Sequence, residues 1–485
     1  MAVKKTKMRN AKKTVHKSNS TRRLVRAAKK ATKKTKVVRR PRKTTRASAA
    51  KNARPASPAV KRMSDFERAL SVGRPPNVVK LFPHSRALIV SGKFIDRALR
   101  LKGGAMTMAA NARSHFIIRG VLRAAQRANA AVIIEIARSE GGTSGYCAVN
   151  LWNLAAQVDQ VANELGITVP IAVHADHYGI KKWDEVARAR MEIPTLFEHG
   201  ITSIAIDASH LAEDENVLAN LELAKIIPAW AGLETEVGEI KGEEGLSTPE
   251  EALFHIQALN ANGVFPDWIA LNNGTVHGIQ ESDQGIQVEL TARIHQALEP
   301  YKISGAQHGT SGNNSERLRQ IAARTRTTKA NVATALQMLA WGVEVNDYGN
   351  ARLDQQGQLI KVPGEGVTEE MWAEMKAYTE QKGWKAGDTK KLNLPFEAKL
   401  LAQPAEVRER MVKRVENFAY QMLVDVFNAA DTAPLALELI NQAGGYDPGP
   451  KVGRIEEAAA WTVEKIREKA RALHEKSGPQ GNFDD

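Results

Sequence analysis

One cysteine, Cys147, among 485 residues excludes an intrachain disulfide and fits a reducing compartment. Long apolar runs are missing too. Nothing approaches the roughly 20 consecutive apolar residues of a membrane helix, and the opening residues lack the apolar core of a secretory signal. No GxGxxG turn occurs, which argues against a doubly wound dinucleotide-binding sheet. No His-x-His pair follows the first candidate strand, where many barrel-borne metal hydrolases place one.

Acidic residues are wholly absent from residues 1–62, which carry 24 of the 69 Lys and Arg. The formal charge of +15 therefore joins a strongly basic segment to a body of net −9. The segment repeats loosely (KKATKKTK, RRPRKTTR) and has almost no large apolar residue, so it cannot bury enough surface to offset the entropy of ordering. Disorder in isolation is expected. Its charge suits the phosphates of a nucleic acid or another polyanion, and its lack of aromatics argues against stacking on bases. A solvated extension and a transit peptide are competing readings; the Lys excess and the length count against the latter. The compositional resemblance is to Lys/Ala-rich, histone-like bacterial tails.

From about residue 63 short β-rich runs alternate with amphipathic stretches. Strands are expected near 106–110 and at 131–136, 169–174, 203–207, 232–237, 268–272, 302–305 and 342–346. Helices are expected at 116–128, 151–165, 185–199, 215–229, 248–260, 288–298 and 316–323. Eight strands alternating with helices predict an α/β fold, a (β/α)8 TIM barrel, over 63–350. Residues 351–400 read as a surface excursion. Val407, Met411, Val415, Phe418, Met422 and Val426 fall at helical spacing, and a further helix is expected at 455–473, so 351–485 is expected to pack on the barrel.

Functional side chains of such barrels project from the carboxyl ends of the strands. Strand three ends in HADH (174–177), strand four in DASH (207–210), and strand five carries Glu234 and Glu236. NGTVHG (273–278) follows strand six, HGTSG (308–312) follows strand seven, and Asn346 ends the eighth expected strand. His177, His277 and His308 thus come from three strand ends, as three ligands of a catalytic zinc with one open position would. Asp176 is placed to move protons or to cap a helix. Glu236 is a candidate ligand or acid–base group and Asp207 a supporting partner, each weighed against ordinary ion pairing. The Gly/Ser turns at 141–145 and 309–312 can cradle a phosphate, although most such turns are only turns.

With HADH, AIDASH (205–210), ETEVGEIKGEEG (234–245), NGTVHG and HGTSG in this order, the stretch 116–346 resembles the class II fructose-bisphosphate aldolase family. The resemblance implies a cytoplasmic lyase of glycolysis and gluconeogenesis that cleaves fructose 1,6-bisphosphate, or tagatose bisphosphate or another ketose phosphate, through an enediolate. It implies Zn2+ or another divalent cation on His177, His277 and His308, with Asp207 and Glu234 at acidic positions close by as second-metal or supporting groups. Asp176 would be the acid–base residue, Glu236 would assist proton transfer, and Asn346 would support the substrate. Gly278, Gly309 and Ser311 would line a phosphate site, often beside a monovalent cation, with Ser139 near the other end of the substrate. A homo-oligomer is implied as well. The family has a hydrophobic residue, then Asp and Thr or Ser, after its Asn; Asp347, Tyr348 and Gly349 depart from that pattern. A non-catalytic, nucleic-acid-associated relative, located at the nucleoid through the tail, is the alternative.

Overall fold

The computed structural model describes residues 63–238, 245–274, 285–310, 313–346 and 349–477. Eight parallel strands close into a barrel in sequence order, β1 pairing with β2 and finally with β8. They are β1 (Thr107–Asn111), β2 (Val132–Ala137), β3 (Ile171–Gly179), β4 (Ser203–Asp207), β5 (Gly232–Val237), β6 (Trp268–Leu271), β7 (Ser304–Gln307) and β8 (Thr327–Val332). Runs such as VIIEIA in β2 are buried on both faces, because side chains fill the barrel inside and helices cover it outside. Among the described residues no helix is long and apolar enough to cross a membrane.

The connecting helices begin and end where local chemistry favours it. Helix Pro249–Ala261 starts on a capping box, Thr248 accepting from the Glu251 amide while Glu251 accepts from the Thr248 amide, with Pro249 in the first turn, where no N–H is needed. Helix His115–Ala128 ends at Asn129, held at φ 51°. The base of the barrel is sealed by helix Gly92–Lys102. A Cβ on Gly92 would lie 2.9 Å from both Ser203 and Trp268, so only glycine admits that approach. On this helix Asp96 accepts from Thr328 Oγ1 (2.7 Å) and Lys451 Nζ (2.6 Å), tying the C-terminal segment to the barrel floor.

The apolar stripe read at 407–426 is a helix, Ala405–Gln421, running into a π-helical turn, Met422–Val426. It lies along helix His115–Ala128 and approaches Gly120, where an added Cβ would fall 2.7 Å from Val415. The last helix is Val463–Ser477, later than expected.

One strand was misplaced by pattern reading. Residues 342–346 are not β8; they form isolated antiparallel bridges, Val343 with Lys361 and Val345 with Ala351. The barrel closes instead through TTKANV at 327–332, with only Thr325 and Arg326 between it and helix Ser315–Arg324. That run carries Lys329 and Asn331 in place of apolar core residues, and both donate to Asp176 Oδ1 inside the barrel.

Candidate active site

The strands' carboxyl ends open into a cavity of about 680 Å³, reached by Asn111 of β1, Glu135 of β2, Asp176 and His177 of β3, Asp207 of β4, Glu236 of β5, His308 after β7 and Asn331 of β8. Ser139 and Gly309, expected at the two ends of a substrate, line it too. His277, Gly278 and Ser311 lie outside the described residues. Asn346 moves with the corrected strand. It sits in a turn, its amide donating to Asn350 O (2.9 Å) and its Oδ1 accepting from the Asn350 amide (3.0 Å), and it does not line the cavity. Asn331 stands at the true end of β8, followed by the hydrophobic Val332 and by Thr334, with Ala333 where the expected pattern has Asp.

Asp176 and His177 reach the rim because β3 bulges. Its register with β4 shifts between Ala175 and Tyr178, and His177 is held at φ 42°. A β-bulge re-aims side chains, and a left-handed non-glycine residue is strained; both features gather at functional sites. His177 Nδ1 lies 3.1 Å from Glu236 Oε1 and 3.4 Å from Asp207 Oδ2. The rings of His177 and His308 are 4.2 Å apart. His308 Nε2 meets Glu234 Oε1 at 2.9 Å, and its Nδ1 lies 3.7 Å from Glu236 Oε2.

The electrostatics are those of a cation site. Burial alone would push His177 toward its neutral form, but Glu236, Asp176 and Asp207 overcome it and raise the imidazole well above its ordinary pKa. A divalent ion answers the same negative field in place of that proton. Burial and the neighbouring Asp207 raise Glu236 against the pull of the two histidines. His308 Nδ1 is buried with no hydrogen-bond partner, a costly state that an ion beside it would relieve. Ligand atoms of Asp176, His177 and His308 all fall within 4.8 Å of one another, as do those of His177, Asp207 and Glu236. The residues present therefore fit a divalent cation.

Beneath the rim lies a second charged cluster. Lys329 Nζ, fully buried, is 2.8 Å from Glu234 Oε2, 3.1 Å from Glu135 Oε2 and 3.2 Å from Asp176 Oδ1. Burial opposes the charge of Asp176 too, yet Lys329 with His177 and His308 holds its carboxyl well below the usual range. His174, whose Nδ1 pairs with Ser203 Oγ at 2.9 Å, is depressed to about 3 by burial and by Lys329, and so stays neutral.

A family model described as class II fructose-bisphosphate aldolase matches residues 95–385, well over half of the chain. The chain belongs to the class II fructose-bisphosphate aldolase family. Among relatives of this family, the fructose-bisphosphate aldolase of Streptococcus pyogenes serotype M3 is 28% identical over 257 residues, covering 52% of this chain and 80% of its own. That of Streptococcus pneumoniae serotype 4 is 31% identical over 225 residues, 45% of this chain and 70% of its own. The crystal structure of the YdjI aldolase of Escherichia coli K12 aligns over 71% of this chain and 99% of its own, at 17% identity and a TM-score of 0.49. Membership of the class II aldolase family makes the chain a lyase of the aldolase type. Sequence reading missed Glu135, Lys329 and Asn331 in this class II site. The one available signal was the Asn-hydrophobic-x-Thr pattern at 331–334.

Proposed function

We propose that the rim binds a divalent cation, zinc first, through His177, His308 and His277, and reversibly cleaves a ketose bisphosphate, fructose 1,6-bisphosphate first, to dihydroxyacetone phosphate and an aldehyde phosphate. The observation that carries this is the convergence of Asp176, His177 and His308 at one cavity, with His308 Nδ1 buried and unpartnered. When bound, the ion supplies Lewis acidity at the ketone oxygen and its neighbouring hydroxyl.

The chain's own residues do the rest. Asp176, kept ionised, accepts the proton of the hydroxyl on the fourth carbon. That oxygen's electron pair becomes the aldehyde carbonyl as the bond between the third and fourth carbons breaks, and the bonding pair passes to the ketone half. Glu236 assists the return of a proton to the third carbon. Asn331, bonded to Asp176 Oδ1 at 2.9 Å, takes the supporting role first expected of Asn346. Asp207 steadies His177, and Glu234 steadies His308. Gly309, at φ 57°, would share the phosphate site with Gly278 and Ser311, with a monovalent cation beside it. Arg138, Lys181, Arg188 and Lys390 line the same cavity as Ser139 and suit a phosphate ester at the other end.

Aldol cleavage of fructose 1,6-bisphosphate, measured with chelator and after zinc is restored, tests the reading. Chelator-sensitive cleavage is expected. Zinc-loaded protein inert toward fructose and tagatose bisphosphates alike would overturn it.

A second reading concerns residues 1–62, whose 24 basic and no acidic residues favour a nucleic-acid backbone as partner and nucleoid association. Deletion of the tail is expected to abolish salt-sensitive DNA binding and spare aldol cleavage; undiminished DNA binding would refute it. Division into the tail (1–62), the barrel (63–350) and a C-terminal region (351–485), and assembly as a homo-oligomer, belong to the same proposal.

A further inference from the structure

The interior of such a barrel is ordinarily filled by branched apolar side chains. Here three carboxyl residues and a lysine from four strands occupy it beside His174: Glu135 of β2, Asp176 of β3, Glu234 of β5 and Lys329 of β8, none more than 3% exposed. Desolvating such groups is expensive, and a closely packed apolar set would hold the barrel at least as well. The arrangement of the bonds shows what these charges do for the rim.

Both donors from β8 fall on one oxygen of Asp176. Lys329 Nζ lies 3.2 Å from Oδ1 and Asn331 Nδ2 lies 2.9 Å from it, leaving Oδ2 as the oxygen that neither residue engages. The same ammonium holds Glu234 by Oε2 at 2.8 Å, and the other oxygen of Glu234 accepts from His308 Nε2 at 2.9 Å. An imidazole that donates through Nε2 keeps its lone pair on Nδ1, the buried nitrogen without a partner. One lysine therefore touches the proton-transferring carboxylate directly and the metal-site histidine through a single carboxylate.

We propose that Lys329 is a positioning residue: it fixes Asp176 by Oδ1 and, through Glu234, turns His308 so that Nδ1 is the nitrogen offered to a divalent cation. This rests on the reading of the rim as a metal-dependent aldolase site and assigns the work of orienting it to the strand below. Two links leave Lys329, so cutting one and cutting both have different consequences.

The test uses the full chain, stripped of metal, with zinc affinity read by chelator competition and kcat and KM read on fructose 1,6-bisphosphate at saturating zinc. Glu234→Gln keeps the ammonium but offers one acceptor oxygen to two donors, Lys329 and His308, so one link is lost. Lys329→Met with Glu135→Gln removes the ammonium together with one carboxyl and cuts both links. Zinc affinity is expected to fall about 10- to 100-fold in each. In the double variant kcat is also expected to fall roughly 100-fold, with KM within about threefold, because Asp176 loses its anchor. Glu234→Gln is expected to lose less turnover than the double variant, since Asp176 keeps both β8 donors. A folding defect alone would not separate affinity from turnover in this way. Wild-type zinc affinity in either variant, or wild-type kcat in the double variant, overturns the proposal. If thermal melting shows that the double variant does not fold, zinc binding by Glu234→Gln decides alone. Wild-type protein that binds no zinc would instead bring down the aldolase reading itself.

Discussion

Two layers of charge sit one above the other in this barrel, and they are built on opposite plans. The upper layer, His177, His308, Asp207 and Glu236, leaves its negative field open to the cavity and keeps His308 Nδ1 buried without a partner. The lower layer brings its own cation, Lys329, to three carboxyls and is shut from solvent. Each layer holds buried carboxyl groups, so each calls for a positive charge. The lower has it covalently in the chain; the upper is shaped to take it from outside. Asp176 belongs to both, anchored from below and presented above.

The largest effects should come from breaking the upper layer where the two meet. His308→Ala removes a proposed ligand and is expected to lose zinc and turnover together, with kcat at least about 100-fold down. Asp176→Ala removes the proposed proton acceptor, and kcat should fall roughly 10²- to 10⁴-fold while zinc is retained. Metal analysis beside steady-state rates separates the two; zinc lost from Asp176→Ala to the same extent as from His308→Ala would show that Asp176 is itself a ligand.

A smaller effect tests the corrected strand. Asn331→Ala removes a hydrogen bond to Asp176 and is expected to lower kcat about 10- to 100-fold, from the loss of a charge-assisted bond worth roughly 1.5–3 kcal/mol. Asn346→Ala, in the turn at 346–350, should stay within about twofold. Equal losses in the two variants would restore Asn346 to the site.

These two asparagines also mark where the sequence was legible. The upper layer could be read because its residues lie toward the ends of short apolar strands: His174 to His177 follow the apolar start of β3 and Asp207 closes SIAID, so the rim residues stand near a visible boundary. The strands at 203–207 and 232–237 were read to the residue for the same reason. The lower layer lies within strands, where polar residues break the apolar pattern that defines them. TTKANV looks like no core strand until Glu135, Glu234 and Asp176, all distant in sequence, are brought to Lys329. The alternating GVEVN at 342–346 mimicked a strand and is a short hairpin arm. The bulge that presents Asp176 and His177 had no local signal, because it arises from the register between β3 and β4.

Outer packing supplies a control for both layers. Gly120→Ala would press a methyl into Val415, 2.7 Å away, where helix Ala405–Gln421 crosses helix His115–Ala128. Overpacking of this kind costs about 1–3 kcal/mol. A lowered Tm with kcat within about twofold is expected. A larger loss of turnover would show that the C-terminal helix governs the rim as well as covering the barrel.

The smallest effect concerns a carboxyl that has no lysine. Glu397 is largely buried in helix Asn393–Leu401, its Oε2 has no hydrogen-bond partner, and burial raises its pKa from 4.5 to about 7. It shows what a carboxyl of the lower layer would do if Lys329 were withdrawn. With the folded pKa above the unfolded one, the unfolded chain ionises first as pH rises. This group therefore costs nothing below about pH 4, costs progressively more up to about pH 7, and imposes a constant penalty above. The full shift corresponds to about 3 kcal/mol; partial exposure reduces this to roughly 1–2 kcal/mol. Glu397→Gln should therefore raise Tm at pH 8 and leave it unchanged at pH 4, with turnover unaffected at both. Melting curves at the two pH values check it. A gain that did not grow with pH would mean that Glu397 is neutralised by a cation, as Glu234 is, and the contrast between a carboxyl with a lysine and one without would fail at this position.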